Sequence, residues 1–249
     1  MKWTDEKIAF LRTAYDRSGA NKALADWIAQ GLSKGSRVLE NGCGLGYLSL
    51  ELAQRGMEVT ALDIDGAVLD VLRGNICKRA TRNVCVLCED AHAFRPQERY
   101  DAVIFCFFGG IDDALRMAKE QCFGEVFYIS RNYDHHRFSA GKHPVHYSGY
   151  RDAREKLDHL HVPYTWKEMS LDIGQPFKNM EQVRRFFSLY SRDEQRLSDA
   201  YLESRLIRTA DSAYPLFMPH ERSIGMIRFS ACDIPDEYIP HTRMRRSCR

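Results

Sequence analysis

The chain has 249 residues, of which 44% are hydrophobic and 28% are charged, and its formal net charge is +2. This composition is typical of a globular protein with a substantial core, and it excludes a disordered, collagen-like or low-complexity chain. The near balance of charge gives no global field that would favour nucleic acid or a membrane surface as a partner. Arg243, Arg245, Arg246 and Arg249 lie close together in the sequence, where a solvated tail is the simpler interpretation.

Neither the first residues nor the apolar runs resemble a targeting or membrane segment. Residues 1–7 lack the basic-then-apolar order of a signal peptide. The longest apolar run, at residues 102–108, is far below the roughly 20 residues that cross a bilayer. We therefore expect a cytoplasmic protein without a membrane partner, in a reducing compartment where disulfides are rare.

The cysteines include one pair with the spacing of a zinc knuckle, Cys85 and Cys88. This pair lies in a predicted strand, where residues three apart point to opposite faces. No second cysteine pair follows at the distance of a zinc site. We therefore predict no metal site at this cysteine pair, and we interpret the cysteines as mainly buried apolar thiols.

Helix and strand signals alternate along most of the chain. Helices are predicted at residues 4–17, 20–30, 47–55, 67–79, 112–122 and 150–160, and strands at residues 37–40, 58–63, 83–88, 101–108, 125–130 and 164–173. Each right-handed crossover between parallel strands needs its helix. The alternation therefore predicts an α/β fold with a doubly wound, mostly parallel sheet and helices on both faces.

The last part of the chain interrupts this alternation. Residues 181–191 and 198–209 are predicted as two helices, followed by a last strand at residues 223–229. We therefore predict a helical insertion at about residues 175–215, placed between two strands. The helices at residues 1–35 are predicted to form an N-terminal helical cap.

The most informative stretch joins the first predicted strand to the helix that follows it, and it contains Glu40, Gly42, Gly44 and Gly46. Glycines let the backbone turn tightly and approach a ligand closely. The N-terminus of the next helix adds unpaired N–H groups that suit a carboxylate. The spacing does not fit the G-x-G-x-x-G pattern of nicotinamide enzymes.

The order acidic-x-G-x-G-x-G resembles motif I of class I S-adenosylmethionine-dependent methyltransferases. Two further strand ends strengthen the resemblance, because Asp63 ends the second predicted strand and Asp90 follows the third. The resemblance implies a seven-stranded sheet with an antiparallel last strand, and a class I methyltransferase domain at residues 36–249. It also implies S-adenosyl-L-methionine as the cofactor and S-adenosyl-L-homocysteine as the product.

The resemblance assigns cofactor contacts to the ends of the first four predicted strands. The acidic residue and glycines after the first strand would face the cofactor's amino group and form the floor beneath it. The residues after the second strand would hold the ribose and cover the adenine, those after the third would bind the adenine edge, and the region after the fourth would border the methyl group. The residues concerned are Glu40, Gly42, Gly44, Asp63, Ile64, Asp90, Ala91 and Phe107. Asp65 is interpreted instead as the N-cap of the next helix.

Residues 106–110 follow the fourth predicted strand and bear on the methyl acceptor. They differ from the Asn/Asp-Pro-Pro-Tyr/Phe signature of enzymes that methylate exocyclic or amide nitrogen. Phe107 and Phe108 are consistent with a planar acceptor or with an ordinary core strand. We expect methyl transfer to a small molecule. The alternatives are methylation of RNA or a protein side chain, and binding of the cofactor without catalysis.

Residues 132–149 form a polar loop with His135, His136, His143 and His146. One of these histidines could act as a general base near neutral pH, and together they could bind a metal. A solvated connection without either role is the third interpretation. No catalytic residue and no oligomeric state is assigned from the sequence.

Overall fold

The computed structural model describes residues 3–141, 143–144 and 149–238. Contacts within the chain divide it into two compact units. Of the described residues, 22–132, 149–169 and 224–238 belong to the larger unit, and the others belong to the smaller unit. Five residues noted above lie outside the described residues: Arg243, Arg245, Arg246, Arg249 and His146.

Helices and strands alternate as the sequence predicts over most of the chain. The helices are α1 (Asp5–Tyr15), α2 (Ala20–Ala29), α3 (Tyr47–Gln54), α4 (Gly66–Arg79), α5 (Ile111–Gln121), α6 (Tyr150–His159), α7 (Met180–Tyr190) and α8 (Asp199–Ser204). The strands are β1 (Arg37–Asn41), β2 (Glu58–Asp63), β3 (Val84–Cys88), β4 (Tyr100–Cys106), β5 (Cys122–Arg131), β6 (Tyr164–Asp172), β7 (Gln175–Phe177), β8 (Ile207–Arg208), β9 (Leu216–Met218) and β10 (Glu221–Ser230).

The main sheet has seven strands in the order β3-β2-β1-β4-β5-β10-β6. Strands β1 to β5 pair in parallel, and β10 runs antiparallel to β5. The prediction of a doubly wound, mostly parallel seven-stranded sheet with an antiparallel last strand is confirmed. The strand order reverses between β1 and β4, and in such sheets ligands bind at the carboxyl ends of the strands at this point.

The central strands are apolar because both faces of the sheet are covered. Val38 and Leu39 of β1 and Val103 of β4 are fully buried. Asp65 is the N-cap of α4, as predicted from the sequence. Its side chain accepts a hydrogen bond from the backbone N–H of Ala67. The buried strands and this cap determine the residues at which the chain passes from the sheet into the loops at its carboxyl edge.

The smaller unit contains α1, α7, α8 and a second sheet in the order β7-β9-β8. The helix predicted at residues 198–209 is wrong beyond Ser204, because residues 207–208 form β8. The strands β7 and β9 were not predicted either. Each has three residues, which is too short for an alternating pattern to be recognised. The predicted division into a cap at residues 1–35 and a domain at residues 36–249 stays a prediction.

Several cysteines contradict the expectation of buried thiols. Cys77, Cys85, Cys88 and Cys232 are exposed. For Cys85 and Cys88 the reason is that β3 lies at the edge of the sheet, where its side chains are only partly covered. Within residues 3–141, 143–144 and 149–238, no group of three or more His, Cys, Asp or Glu side chains is placed to hold a metal ion. The helices of this part of the chain are also too short or too polar to cross a membrane.

Candidate cofactor-binding site

The candidate site is formed where the first four parallel strands end. Glu40 and Asn41 end β1, Asp63 ends β2, and Cys88 ends β3 beside it. Phe107 directly follows β4. Because these strands are parallel neighbours, their carboxyl ends lie at one edge of the sheet, and the structure brings the predicted cofactor residues of the larger unit to that edge.

The loop from β1 to α3 is shaped by three glycines in the left-handed backbone region. Gly42, Gly44 and Gly46 have φ values of +68°, +54° and +70°. A Cβ atom on Gly42 would lie 2.1 Å from the ring of Phe108, and one on Gly46 would lie 2.4 Å from the Leu72 side chain. Glycine is therefore required at both positions by backbone conformation and by close packing.

The carboxylate of Asp63 holds this glycine loop. One oxygen accepts a hydrogen bond of 2.8 Å from the backbone N–H of Gly44, and the other accepts one of 3.0 Å from the N–H of Asp65. The side chain is buried. A carboxylate oxygen can accept more than one hydrogen bond, so both oxygens keep capacity for a ligand hydroxyl.

The carboxyl group of Glu40 is buried at the other side of the loop and accepts a short hydrogen bond from the Ser49 hydroxyl. Burial raises the pKa of Glu40 to about 7; the bond from Ser49 opposes this rise, and the charge of Asp63 adds to it. In the described part of the chain, Glu40 has no ion-pair partner. Buried carboxylates normally have a compensating charge, so this group fits a cationic ligand.

The loop after β3 contains Asp90 and Ala91. Asp90 is exposed, and its side chain accepts a hydrogen bond of 3.0 Å from the backbone N–H of His92. Ala91 is buried, and its carbonyl oxygen accepts a hydrogen bond of 3.0 Å from the side chain of Gln121. Sequence reasoning missed Gln121, and the only signal was a polar residue at the end of an otherwise apolar helix face.

The end of β4 is strained at a position next to the site. The prediction that this strand continues to residue 108 is wrong, because Phe107 adopts a φ of +55° and the strand ends at Cys106. Left-handed backbone is unfavourable for a residue with a Cβ atom, and such residues cluster at functional sites. The Phe107 side chain is 40% exposed, whereas Phe108 packs on Gly42.

Similarity to known proteins agrees with this geometry. Residues 38–127 match the model of a family described as a methyltransferase domain. Residues 38–127 therefore form a methyltransferase domain of the class I S-adenosylmethionine-dependent type.

Individual relatives match only parts of this chain. It is 31% identical over 124 residues to a demethylmenaquinone methyltransferase of Tropheryma whipplei, covering 47% of this chain and 48% of the relative. It is 54% identical over 41 residues to an S-adenosyl-L-methionine-dependent Diels-Alderase of Talaromyces variabilis, covering 16% and 13%. The chain thus spans about half or less of the curated relatives it matches. The solved YcgJ protein of Bacillus subtilis has the same fold, with a TM-score of 0.50, 13% identity and coverage of 83% of this chain and 97% of that one.

A methyltransferase domain of this type implies S-adenosylmethionine as the cofactor, and the residues of the site fit it. The buried carboxyl group of Glu40 suits an ammonium group, and the Asp63 carboxylate suits hydroxyl groups. Ile64, the next residue, exposes 70% of a large apolar side chain where a flat ring could lie against it. The cofactor therefore offers a matching chemical group to each of these three side chains.

His135, His136 and His143 of the loop at residues 132–149 belong to the smaller unit. The ring of His136 is hydrogen-bonded to the Ser139 hydroxyl at 2.9 Å, and that of His143 lies 2.9 Å from a carboxylate oxygen of Asp193. His135 is exposed. These contacts hold the loop in place. That one of these histidines acts as a general base stays a prediction.

Proposed function

We propose that this chain transfers the methyl group of S-adenosylmethionine to a small-molecule acceptor. The observation that carries the proposal is the pair of buried carboxyl groups, Glu40 and Asp63, on either side of a loop in which three glycines have positive φ. Among the residues that the structure describes, Glu40 has no cationic partner, and Asp63 accepts a hydrogen bond from the backbone N–H of Gly44. Together they would contact two polar parts of one bound cofactor, its ammonium group and its ribose.

Each site residue has a role that follows from its position. Glu40 would bind the cofactor's ammonium group, while the backbone of Gly42 and Gly44 would pass beneath the methionine part. Asp63 would accept hydrogen bonds from the ribose hydroxyls, and Ile64 would cover one face of the adenine. These contacts are the electrostatic and apolar pairings that these side chains provide.

The remaining contacts lie at the adenine edge and next to the methyl group. Asp90 would accept a hydrogen bond from the exocyclic amine of adenine through the carboxylate oxygen that His92 leaves open. Ala91 would pack against the adenine edge. Phe107, with its exposed ring, would border the transferred methyl group and help to exclude water.

The bound cofactor supplies a methyl group that its sulfonium already activates. The chain therefore contributes mainly alignment of donor and acceptor and removal of water, which can supply up to about 7–11 kcal/mol. A general base is needed only when the acceptor atom must lose a proton. We assign none.

A small acceptor is favoured over nucleic acid. The relative from Tropheryma whipplei is named for demethylmenaquinone, which is a quinone and not a nucleic acid. Binding of RNA depends on several clustered cations that contact phosphates, whereas the net charge of this chain is only +2. A demethylated quinol is therefore the first acceptor to test.

Binding without methyl transfer is the second candidate. The 41-residue match to a Diels-Alderase whose name includes S-adenosyl-L-methionine supports it, because that protein is named for a different reaction. Two measurements separate the candidates. Calorimetric titration with S-adenosylhomocysteine tests the site, and its release from S-adenosylmethionine with demethylated quinols tests methyl transfer.

The expected result is saturable binding with one site per chain, together with acceptor-dependent release of S-adenosylhomocysteine. Absence of binding would overturn the whole proposal. Binding without release, across phenols, quinols and a metabolite extract, would favour the second candidate over the first.

A further inference from the structure

A separate cavity of about 60 Å³ lies inside the smaller unit. It is bounded by α1, α7 and the small sheet, and aromatic rings form much of its wall. Phe138 packs edge-on against Phe186 with ring centroids 5.1 Å apart, and it lies 4.7 Å from the ring of His220. The cavity is thus apolar on most sides, with polar groups only where Tyr190, His220, Gln175 and Arg222 reach it.

Two of these polar groups lack hydrogen-bond partners. His220 is 5% exposed, and neither of its ring nitrogens makes a hydrogen bond to another described residue. The same is true of the Tyr190 hydroxyl within the described residues. His220 is buried and Tyr190 is half-buried, and both line the cavity, so their polar atoms are open to a molecule that occupies it.

The protonation states of His220 and Tyr190 determine which hydrogen-bond donors line the cavity. Burial lowers the pKa of His220 to about 3, and the charges of Arg222, Arg137 and Arg205 lower it further. Burial raises the pKa of Tyr190 to about 12. At neutral pH the cavity therefore contains an uncharged imidazole with one N–H and an uncharged phenol with one O–H, and both can donate a hydrogen bond.

The field around the cavity is positive. Three guanidinium groups act on His220, and two of them, Arg137 and Arg205, form no ion pair with any described acidic residue. Arg205 instead donates to the Tyr201 hydroxyl and to the Arg137 carbonyl oxygen. Arg222 lines the cavity, whereas Arg137 and Arg205 lie outside its lining and add to the positive potential at His220. A positive potential beside two hydrogen-bond donors favours an anion over a neutral ligand.

The volume limits the size of that anion. A water molecule needs about 10–15 Å³ measured in this way, and an engineered apolar cavity of about 150 Å³ holds benzene. At about 60 Å³, the cavity has room for several heavy atoms but not for an aromatic ring. The apolar wall formed by Phe138 and Phe186 suits a methyl or methylene group at the uncharged end of the ligand.

We propose that this cavity binds a compact monocarboxylate of about the size of acetate. Tyr190 and His220 donate hydrogen bonds to its oxygens, and the surrounding arginines compensate its charge. The alkyl end packs against the aromatic wall. This site belongs to the smaller unit, and the proposal is independent of the proposed cofactor site.

The test uses ¹⁹F NMR with fluoroacetate as the probe and fluoroacetamide as its neutral counterpart. Fluoroacetate should show saturable line broadening with the intact chain, at a dissociation constant in the low millimolar range or tighter. Tyr190→Phe keeps the ring and removes only the hydroxyl group, and it should weaken binding about tenfold. Arg205→Gln should also weaken it. Tyr238→Phe, which removes a hydroxyl that donates to Asp112, is the matched control and should bind like the parent.

Four results would overturn the proposal. They are no saturable binding by the parent chain, equal binding of fluoroacetamide, equal binding by Tyr190→Phe and the parent, or tighter binding of 4-fluorobenzoate, which exceeds the cavity. If Tyr190→Phe does not fold, His220→Gln provides the second variant, because its amide keeps a donor in a different position. Binding that is unchanged in His220→Gln and in Arg205→Gln would then place the probe elsewhere.

Discussion

The side chain of Gln121 accepts a hydrogen bond of 2.8 Å from the amide of Asn41, and both residues are fully buried. Gln121 also donates to the carbonyl oxygens of Ala91 and Phe94, at 3.0 and 3.3 Å. Asn41 lies between Glu40 and the glycine loop, and Ala91 follows Asp90. One amide at the end of α5 therefore joins the loop after β1 to the loop after β3.

Replacement of Gln121 by Met should weaken the cofactor site as well as the fold. The variant leaves the Asn41 amide and the Ala91 carbonyl without partners, each of which costs about 1–3 kcal/mol. The loop that carries Asp90 should then shift, so adenine should be recognised less well. We expect S-adenosylhomocysteine to bind about fivefold to tenfold more weakly, and its preference over S-inosylhomocysteine to fall, in calorimetric titrations below the melting temperature of the variant.

Tyr100→Phe is the matched control for this prediction. It removes the hydrogen bond from the Tyr100 hydroxyl to Thr60 at the opposite, amino end of β4. This variant should lose stability and keep the preference for adenine over hypoxanthine. If Gln121→Met lowers the melting temperature and leaves that preference intact, Gln121 has a structural role only.

The buried carboxyl group of Glu40 should make stability depend on pH. Its pKa is raised from 4.5 to about 7, so between these values the folded chain holds a proton that the unfolded chain releases. Stability should therefore fall as pH rises from about 4.5 through 7, by up to about 3 kcal/mol. Urea unfolding of the ligand-free chain at pH 5 and pH 8 measures this fall. Glu40→Gln should reduce it, and an equal fall in both proteins would contradict the prediction.

The same residue should make cofactor binding depend on pH in the opposite direction. Only the ionised carboxylate attracts the ammonium group, so the affinity for S-adenosylhomocysteine should increase as pH rises through about 7. Titrations at pH 6 and pH 8 measure the change. Glu40→Gln should bind weakly at both values, and a parent chain that binds equally at both would contradict the proposed contact.

The parts of the site that could be predicted from the sequence are those whose signals are local. The apolar residues of β1 and β2 define these strands in the sequence. Glu40 and Asp63 lie at the ends of the two strands, and the glycines follow β1 directly. Gln121 could not be predicted, because its partner Asn41 is 80 positions away and only the folded sheet brings them together. The cavity beside His220 is formed by α1, α7 and strands of three residues, which are far apart in the sequence. No continuous sequence pattern therefore predicts it.

Asp63 should affect both the loop and the ligand. Asp63→Ala removes the acceptor for the Gly44 and Asp65 N–H groups and the proposed acceptor for the ribose hydroxyls. We expect cofactor affinity to fall by about 1.5–3 kcal/mol for each charge-assisted bond lost, less any compensation by water. Calorimetry on folded protein measures this. Asp70→Ala, at an exposed site in α4, should bind like the parent, and unchanged affinity in Asp63→Ala would contradict the assignment.

Gly42→Ala provides the sharpest test of the glycine loop. The new methyl group would lie 2.1 Å from the Phe108 ring, and the residue would also have to keep a φ of +68°. Left-handed backbone alone costs about 1–2 kcal/mol for a residue other than glycine, and the clash adds to it. We expect lower stability in urea unfolding and loss of most affinity for S-adenosylhomocysteine, because the loop must move to relieve the contact.

Gly74→Ala is the matched control, since Gly74 lies within α4 and has open space where a Cβ atom would go. There the same substitution should stabilise the chain by about 0.5–1 kcal/mol and leave binding unchanged, because alanine is the better helix former. Combining Gly42→Ala with Phe108→Ala removes the ring that the new methyl group meets. The double variant should recover part of the lost affinity, since only the backbone cost then remains. If Gly42→Ala alone binds S-adenosylhomocysteine as tightly as the parent, the loop does not approach the ligand in the way proposed.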